Sequence, residues 1–218
     1  MASFTILDSE VTDHTAATSR AMTNSITPAL GDLAFFGARN SLGTDAACSG
    51  AGMTWTLLEL ESNSQPAFVA VFRATAGTPE SGALTITSSD NFIDTTYAAV
   101  RPVDLTYDSV AGSGNTAGSA VDTLAVAITA TTPAALLVYF SGGANNTWAE
   151  DTGWTETLDA AHASGIAHQL QERFSDDDEV IGNLSTNGNM TGVVLMFTAA
   201  GASAFSAYYQ QYYQKVLA

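Results

Sequence analysis

A Gly-rich turn that runs into a Trp-Thr pair occurs twice, as Gly52-Met53-Thr54-Trp55-Thr56-Leu57-Leu58 and as Gly153-Trp154-Thr155-Glu156-Thr157-Leu158. After each Trp the residues alternate as a half-buried strand does. Each copy is followed by an Arg, in Val71-Phe72-Arg73 and in Gln171-Glu172-Arg173; the tryptophans stand 99 residues apart and the arginines 100. Each is preceded by Pro-Ala and an apolar run, Pro28-Ala29-Leu30 before Leu33-Ala34-Phe35-Phe36 and Pro133-Ala134 before Ala135-Leu136-Leu137-Val138-Tyr139-Phe140. A period this long denotes a duplicated half-domain or a strand-for-strand sandwich, not a short solenoid repeat. The halves fall at about 26–105 and 120–199, inside a body of residues 1–201.

The chain of 218 residues is long enough for one large all-β domain or two small ones, and its 46% hydrophobic content excludes general disorder. Six Lys+Arg against 22 Asp+Glu give a formal charge of −16. Such a surface repels phosphate backbones and anionic lipid, so neither nucleic acid nor membrane is an expected partner. The single cysteine, Cys48, excludes an internal disulfide framework and reads as a small buried side chain. The N-terminus, Met1-Ala2-Ser3-Phe4-Thr5-Ile6, has no signal-peptide pattern, so synthesis and folding in a cytoplasm are expected.

Short apolar segments separated by Gly, Asn, Ser and Pro set the expected strands: 3–7, 33–38, 54–61, 67–74, 82–88, 97–105, 124–128, 135–140, 155–159, 166–174 and 193–198. Residues 8–24, 40–52, 109–119 and 142–153 read as loops, and Pro102 assigns the end of its strand to an edge or a bulge. The fold class is all-β, an antiparallel β-sandwich with an internal pseudo-repeat. The terminal stretch 202–218 differs: Phe205, Tyr208, Tyr209, Tyr212, Tyr213 and Val216 are spaced by threes and fours or doubled, which fits a short amphipathic helix or an arm. Tyr enrichment makes it a candidate assembly contact, against the plainer reading of a segment packed on its own domain.

Chemistry is sparse. Three scattered histidines, His14, His162 and His168, form no triad pattern with a nucleophile, and no Gly-x-Ser-x-Gly elbow is present. On a strand, His168 and Glu172 share a face, but no Cys or third His stands near to complete a zinc set, so neither a metal nor another cofactor is expected. Asp176-Asp177-Asp178-Glu179 lacks the spaced ligands of an EF-hand and reads as a solvated turn, with Ca²⁺ as the sharper alternative. Trp55 and Trp154 read as core residues capping one end of a sandwich. Trp148, in a polar turn, is the candidate ligand contact. Arg73 and Arg173 are expected to pair with acids across the sheet.

The Pro-Ala-x-Leu run, the Gly-x-x-Trp-Thr-x-Leu turn-strand, the Ala-Val-Phe-Arg-Ala strand at 70–74 and the closing Val-Val-Leu-Met-Phe at 193–197 together resemble a jelly-roll-like β-sandwich family of tailed-phage virion proteins, over roughly residues 26–199. Gln171-Glu172-Arg173-Phe174 departs from the aromatic-Arg pair of that family's strand. The resemblance implies a non-enzymatic structural or decoration protein of a capsid or tail, located in the virion. Its implied partners are other virion proteins and copies of itself. The alternative is a carbohydrate-binding receptor module on a tail fibre or cell surface, reading a host glycan through Trp148.

Overall fold

The computed structural model describes residues 2–40, 45–62, 67–114, 121–127, 135–143, 148–149, 153–162, 166–174 and 179–200. The aromatic stretch 202–218 and Asp176–Asp178 lie outside these. The described residues are all-β and contain no helix. In chain order the strands are β1 (Ser3–Thr12), β2 (Ala17–Ala21), β3 (Leu33–Asn40), β4 (Ala47–Gly50), β5 (Met53–Ser62), β6 (Ala67–Gly77) and β7 (Leu84–Val103). There follow β8 (Leu105–Gly114), β9 (Val121–Ala127), β10 (Ala135–Gly143), β11 (Trp148–Ala149), β12 (Thr155–Ala161), β13 (Ile166–Arg173), β14 (Glu179–Gly188) and β15 (Met190–Ala199).

The first seven strands form one antiparallel sheet in the order β1-β7-β3-β6-β5-β4, with β2 also on β7. Because β4 pairs with β7 as well as with β5, the sheet closes into a small barrel; the sequence expectation was a jelly-roll-like sandwich. The 20-residue β7 makes closure possible by changing partners along its length. Its first part pairs with β2 and β4, and residues from Thr95 onward pair with β1. At the change stands Asp94, skipped by the β3 register and held at φ 51°. An extra residue of this kind bends a strand and re-aims its side chain.

The remaining strands repeat that order. β8, β15, β10, β13 and β12 lie side by side as β1, β7, β3, β6 and β5 do. β9 and β11 flank β14 as β2 and β4 flank the first part of β7. Here Asn189 separates β14 from β15, at the place where Asp94 interrupts β7.

Three apolar clusters follow from this layout. One fills the barrel around Phe36, Phe68, Phe72, Phe92 and Trp55; a second lies inside the later strands around Val126, Phe140, Trp154 and Val194. The third lies between the two sets of strands and joins Leu33, Phe35, Val69, Val71, Ala98 and Val100 to Leu137, Tyr139, Leu170, Val193, Leu195 and Phe197. Strands β3, β6, β10 and β15 are therefore covered on both faces, which is why their sequences are apolar runs where half-buried β5 alternates.

Register shows how the two sets correspond. Phe35 pairs with Val71 and Ala98 across the first sheet, and Tyr139 pairs with Leu170 and Val193 across the second. These two rows face one another, with the Phe35 and Tyr139 rings stacked at 5.6 Å and 24°. By the same register Leu33-Arg73-Val100 matches Leu137-Glu172-Leu195. Arg73 thus corresponds to Glu172, and the spacing match of Arg73 with Arg173 is one residue out of phase. A one-residue slip puts a side chain on the opposite face.

Several segments expected as loops are strands. Residues 8–12 and 17–21 extend β1 and form β2, 47–50 is β4, and 109–114 belongs to β8. In 8–12, 17–21 and 109–114 polar and small residues predominate on half-exposed strands, so no run of bulky apolar residues marks them. Gly112 reflects close approach: a Cβ there would collide with the Glu61 side chain.

Candidate functional site

A polar group lies beside the cluster between the two sets of strands. The connection from β1 to β2 carries Asp13, the β7 bulge carries Asp94, β7 beyond it carries Thr96, and the chain leaving β12 carries His162. His162 is buried, with Nδ1 2.6 Å from Asp13 Oδ1 and Nε2 2.8 Å from Thr96 Oγ1. Asp13 is half exposed, its side chain 55% accessible. Asp94 is 6% accessible, and its one described hydrogen bond is a long one of 3.4 Å from the His14 backbone N–H.

His168 on β13 lies edge-on to His162 at 5.3 Å and stacks on Tyr139 at 5.9 Å. It is fully buried, and neither ring nitrogen has a hydrogen-bond partner. The Tyr139 hydroxyl donates to the Thr96 carbonyl at 3.4 Å. Gly37 makes room, since a Cβ there would run into His168 and stand 2.8 Å from the Tyr139 hydroxyl. Desolvation, and then the neighbouring His162, hold the His168 pKa well below the ordinary histidine range. Burial likewise pushes Tyr139 well above the usual tyrosine range.

An Asp-His-Thr chain invites comparison with a hydrolase triad. Thr96, however, is inaccessible in the middle of a strand, so no substrate reaches its hydroxyl. The group is suited to holding two sheets together or to binding an ion. The neutral state of His168 has a measurable consequence. Its folded pKa is depressed, so below about pH 6.5 the unfolded chain binds the extra proton and the folded chain does not. Stability is then lost as the pH falls through and below that value, by up to about 1.4 kcal/mol per unit for one proton. Melting temperature between pH 8 and 5 should fall in wild type. It should fall less in His168→Val, which installs the residue type found at the matching Val69, with Asp13, Asp94, His162 and Tyr139 around it unchanged. Equal slopes in both proteins would remove His168 as the cause.

The other residues singled out from sequence are dispersed. Trp55 and Trp154 are buried, at 8% and 4% accessibility, in separate clusters. Trp55 Nε1 donates to the Gly50 carbonyl at 3.2 Å, whereas Trp154 Nε1 is buried without a partner. Trp148 pairs with Leu184 through β11, and its side chain lies outside the described set. Cys48 is buried and its thiol is pushed up to about 12 by desolvation, which makes it an inert packing residue. The ring contacts of the two arginines are Arg73 over Tyr107 at 5.2 Å and Arg173 over Trp154 at 6.0 Å, aromatic partners in addition to any acidic ones. The Arg73 contact borders a cavity of about 140 Å³ lined also by Leu30, Pro102, Leu105 and Phe197. Phe205, Tyr208, Tyr209, Tyr212, Tyr213 and Val216 lie outside the described residues, as do three of the four acids at 176–179.

Asp13, Asp94 and Thr96 carry no sequence signal. They stand 66 to 149 residues from His162, and only the strand order brings them together. The chain matches no family model, no curated protein and no solved structure.

Proposed function

We propose that the chain is a non-enzymatic structural protein of a tailed-phage virion, a capsid decoration or minor head or tail component. In this reading it is built of two jelly-roll-like modules, near 3–103 and 105–199. The observation that carries it is the strand order used twice, with matching faces, Phe35 on Tyr139, packed against each other. Numbering the first strands with β7 counted as two, the neighbours are 1-8-3-6-5 and 2-7-4, with 5 also on 4, a sequence of neighbours that supports the jelly-roll reading. Jelly rolls recur in capsid and lectin domains, and the step from fold to role is one of analogy. In this reading the modules begin near 3 and 105, ahead of the expected 26 and 120, since β1 pairs with β7 and β8 with β15.

In this role the apolar faces of β3, β6, β10 and β15 pack within the chain, and strand edges and the terminal Phe205–Val216 stretch contact neighbours. Light scattering of the full chain and of a chain ending at Gly201 tests this. An assembling full chain and a folded, monomeric shortened one are expected. Two folded monomers would remove the terminal stretch as a self-assembly element. Glycan binding by those monomers, lost in Trp148→Ala, would replace the virion reading with a receptor module.

A further inference from the structure

We propose that Asp13, Asp94 and His162 form a binding site for one divalent transition-metal ion, with Zn²⁺ the best chemical fit, and that this ion ties the two sets of strands together. One oxygen or nitrogen from each of the three residues lies within 4.8 Å of the others. Two carboxylates and one imidazole, with water in the fourth position, form a tetrahedral donor set that suits Zn²⁺ better than Ca²⁺ or Mg²⁺, which take oxygen donors.

Three features separate this group from an ordinary acidic patch. First, the imidazole is oriented as a ligand is. Nε2 is engaged by Thr96 Oγ1, which leaves Nδ1 directed at the carboxylate of Asp13. Metal-bound histidines have their second nitrogen fixed in this way. Second, Asp94 is a carboxylate more than nine-tenths buried, at a left-handed bulge beside the other donors, with one long hydrogen bond among the described residues to offset its charge. A buried carboxylate so poorly satisfied is costly unless a cation balances it. Third, the two carboxylates are close together in a chain with six Lys+Arg against 22 Asp+Glu. Like charges at such a distance favour a shared cation.

The 2.6 Å separation of Nδ1 and Oδ1 fits a proton between them. Zinc, with bonds of about 2.0–2.2 Å, requires donors roughly 3 Å or more apart. Asp13 supplies that adjustment, since it is half exposed and sits in a connection between strands. Ion and proton therefore compete for the same place. Asp13 and Asp94 belong to the first set of strands and His162 follows β12 of the second, so binding links segments far apart in sequence.

The test uses the full chain after EDTA treatment and dialysis, titrated with Zn²⁺ alone by calorimetry, with Ca²⁺ and Mg²⁺ in parallel. One Zn²⁺ per chain is expected, with a raised melting temperature and at least tenfold weaker binding of Ca²⁺ and Mg²⁺. Co²⁺ in the same site should give the visible absorption of a tetrahedral ion. Asp94→Asn and His162→Gln should each weaken Zn²⁺ at least tenfold. Asp13→Asn, at a half-exposed position that does not threaten folding, should do the same, and the exposed Glu80→Gln should change nothing. Absence of saturable Zn²⁺ binding would overturn the proposal. So would Zn²⁺ affinity in folded Asp13→Asn equal to that of wild type.

Discussion

Phe35→Ala is expected to cost about 3–5 kcal/mol of stability, read as a lowered urea midpoint. The ring is wholly inaccessible and lies between two sheets, stacked on Tyr139 and flanked in its own sheet by Val71 and Ala98. Its removal forfeits the transfer energy of an aromatic side chain and about 0.5–1.5 kcal/mol of ring pairing, and leaves a cavity that two rigid sheets cannot close. Phe36→Ala, one residue on, is the comparison. Phe36 points the other way, into the barrel against Phe68 and Phe92, so it deletes the same atoms from a different cluster. Both variants should lose similar amounts, but the manner of unfolding should differ. Phe35→Ala weakens the contact between the two sets of strands, so their transitions should separate and the calorimetric enthalpy exceed the van't Hoff value. Phe36→Ala weakens the first set alone. A loss below about 1 kcal/mol for Phe35→Ala would show that the two sheets do not pack through this face.

What was legible in the sequence was periodicity and bulk. The apolar runs at 33–38 and 135–140 mark doubly covered strands because burial on both faces removes alternation. The Gly-Trp-Thr signature marks β5 and β12 because a positive-φ turn must precede a strand there; Gly52 and Gly153 stand at φ 72° and 84°. β1 beyond residue 7, β2 and β8 were hidden, since marginal strands of Ser, Thr, Ala and Gly have the composition of loops. The arginine spacing misled by one residue. Irregular registers, such as the shifts between Thr54 and Trp55 and between Glu156 and Leu158, alter spacing without changing strand order. The polar group at Asp13, Asp94 and His162 was illegible for a different reason. Its members are unrelated in sequence, and their proximity depends on the bend of β7, on barrel closure and on the packing of a second sheet against the first.

Arg101→Met is expected to destabilise the fold more than Asp32→Asn does, with losses of about 3–5 kcal/mol for the first and nearer 2 for the second. Asp32 is 2% accessible and precedes β3. Its carboxylate receives Arg101 Nε at 3.0 Å, Arg101 Nη2 at 2.7 Å and the Ala29 backbone N–H at 2.7 Å. Arg101 also donates to the Thr27 carbonyl at 3.1 Å, so the pair fastens the 27–32 segment to β7. The two partners differ in access to water. The Arg101 side chain is 35% exposed and can hydrate once its partner is neutral, which discounts the cost of losing the acid. The Asp32 carboxylate cannot, and without the guanidinium it is left with one backbone donor. The asymmetry therefore comes from desolvation and not from pairwise attraction. Urea midpoints of the two single variants and of Arg101→Met with Asp32→Asn decide it. The double variant should be more stable than Arg101→Met alone, because neutralising the stranded carboxylate removes the larger penalty. If Arg101→Met costs under about 1 kcal/mol, the pair is an ordinary surface contact and the segment before β3 is held by its backbone bonds.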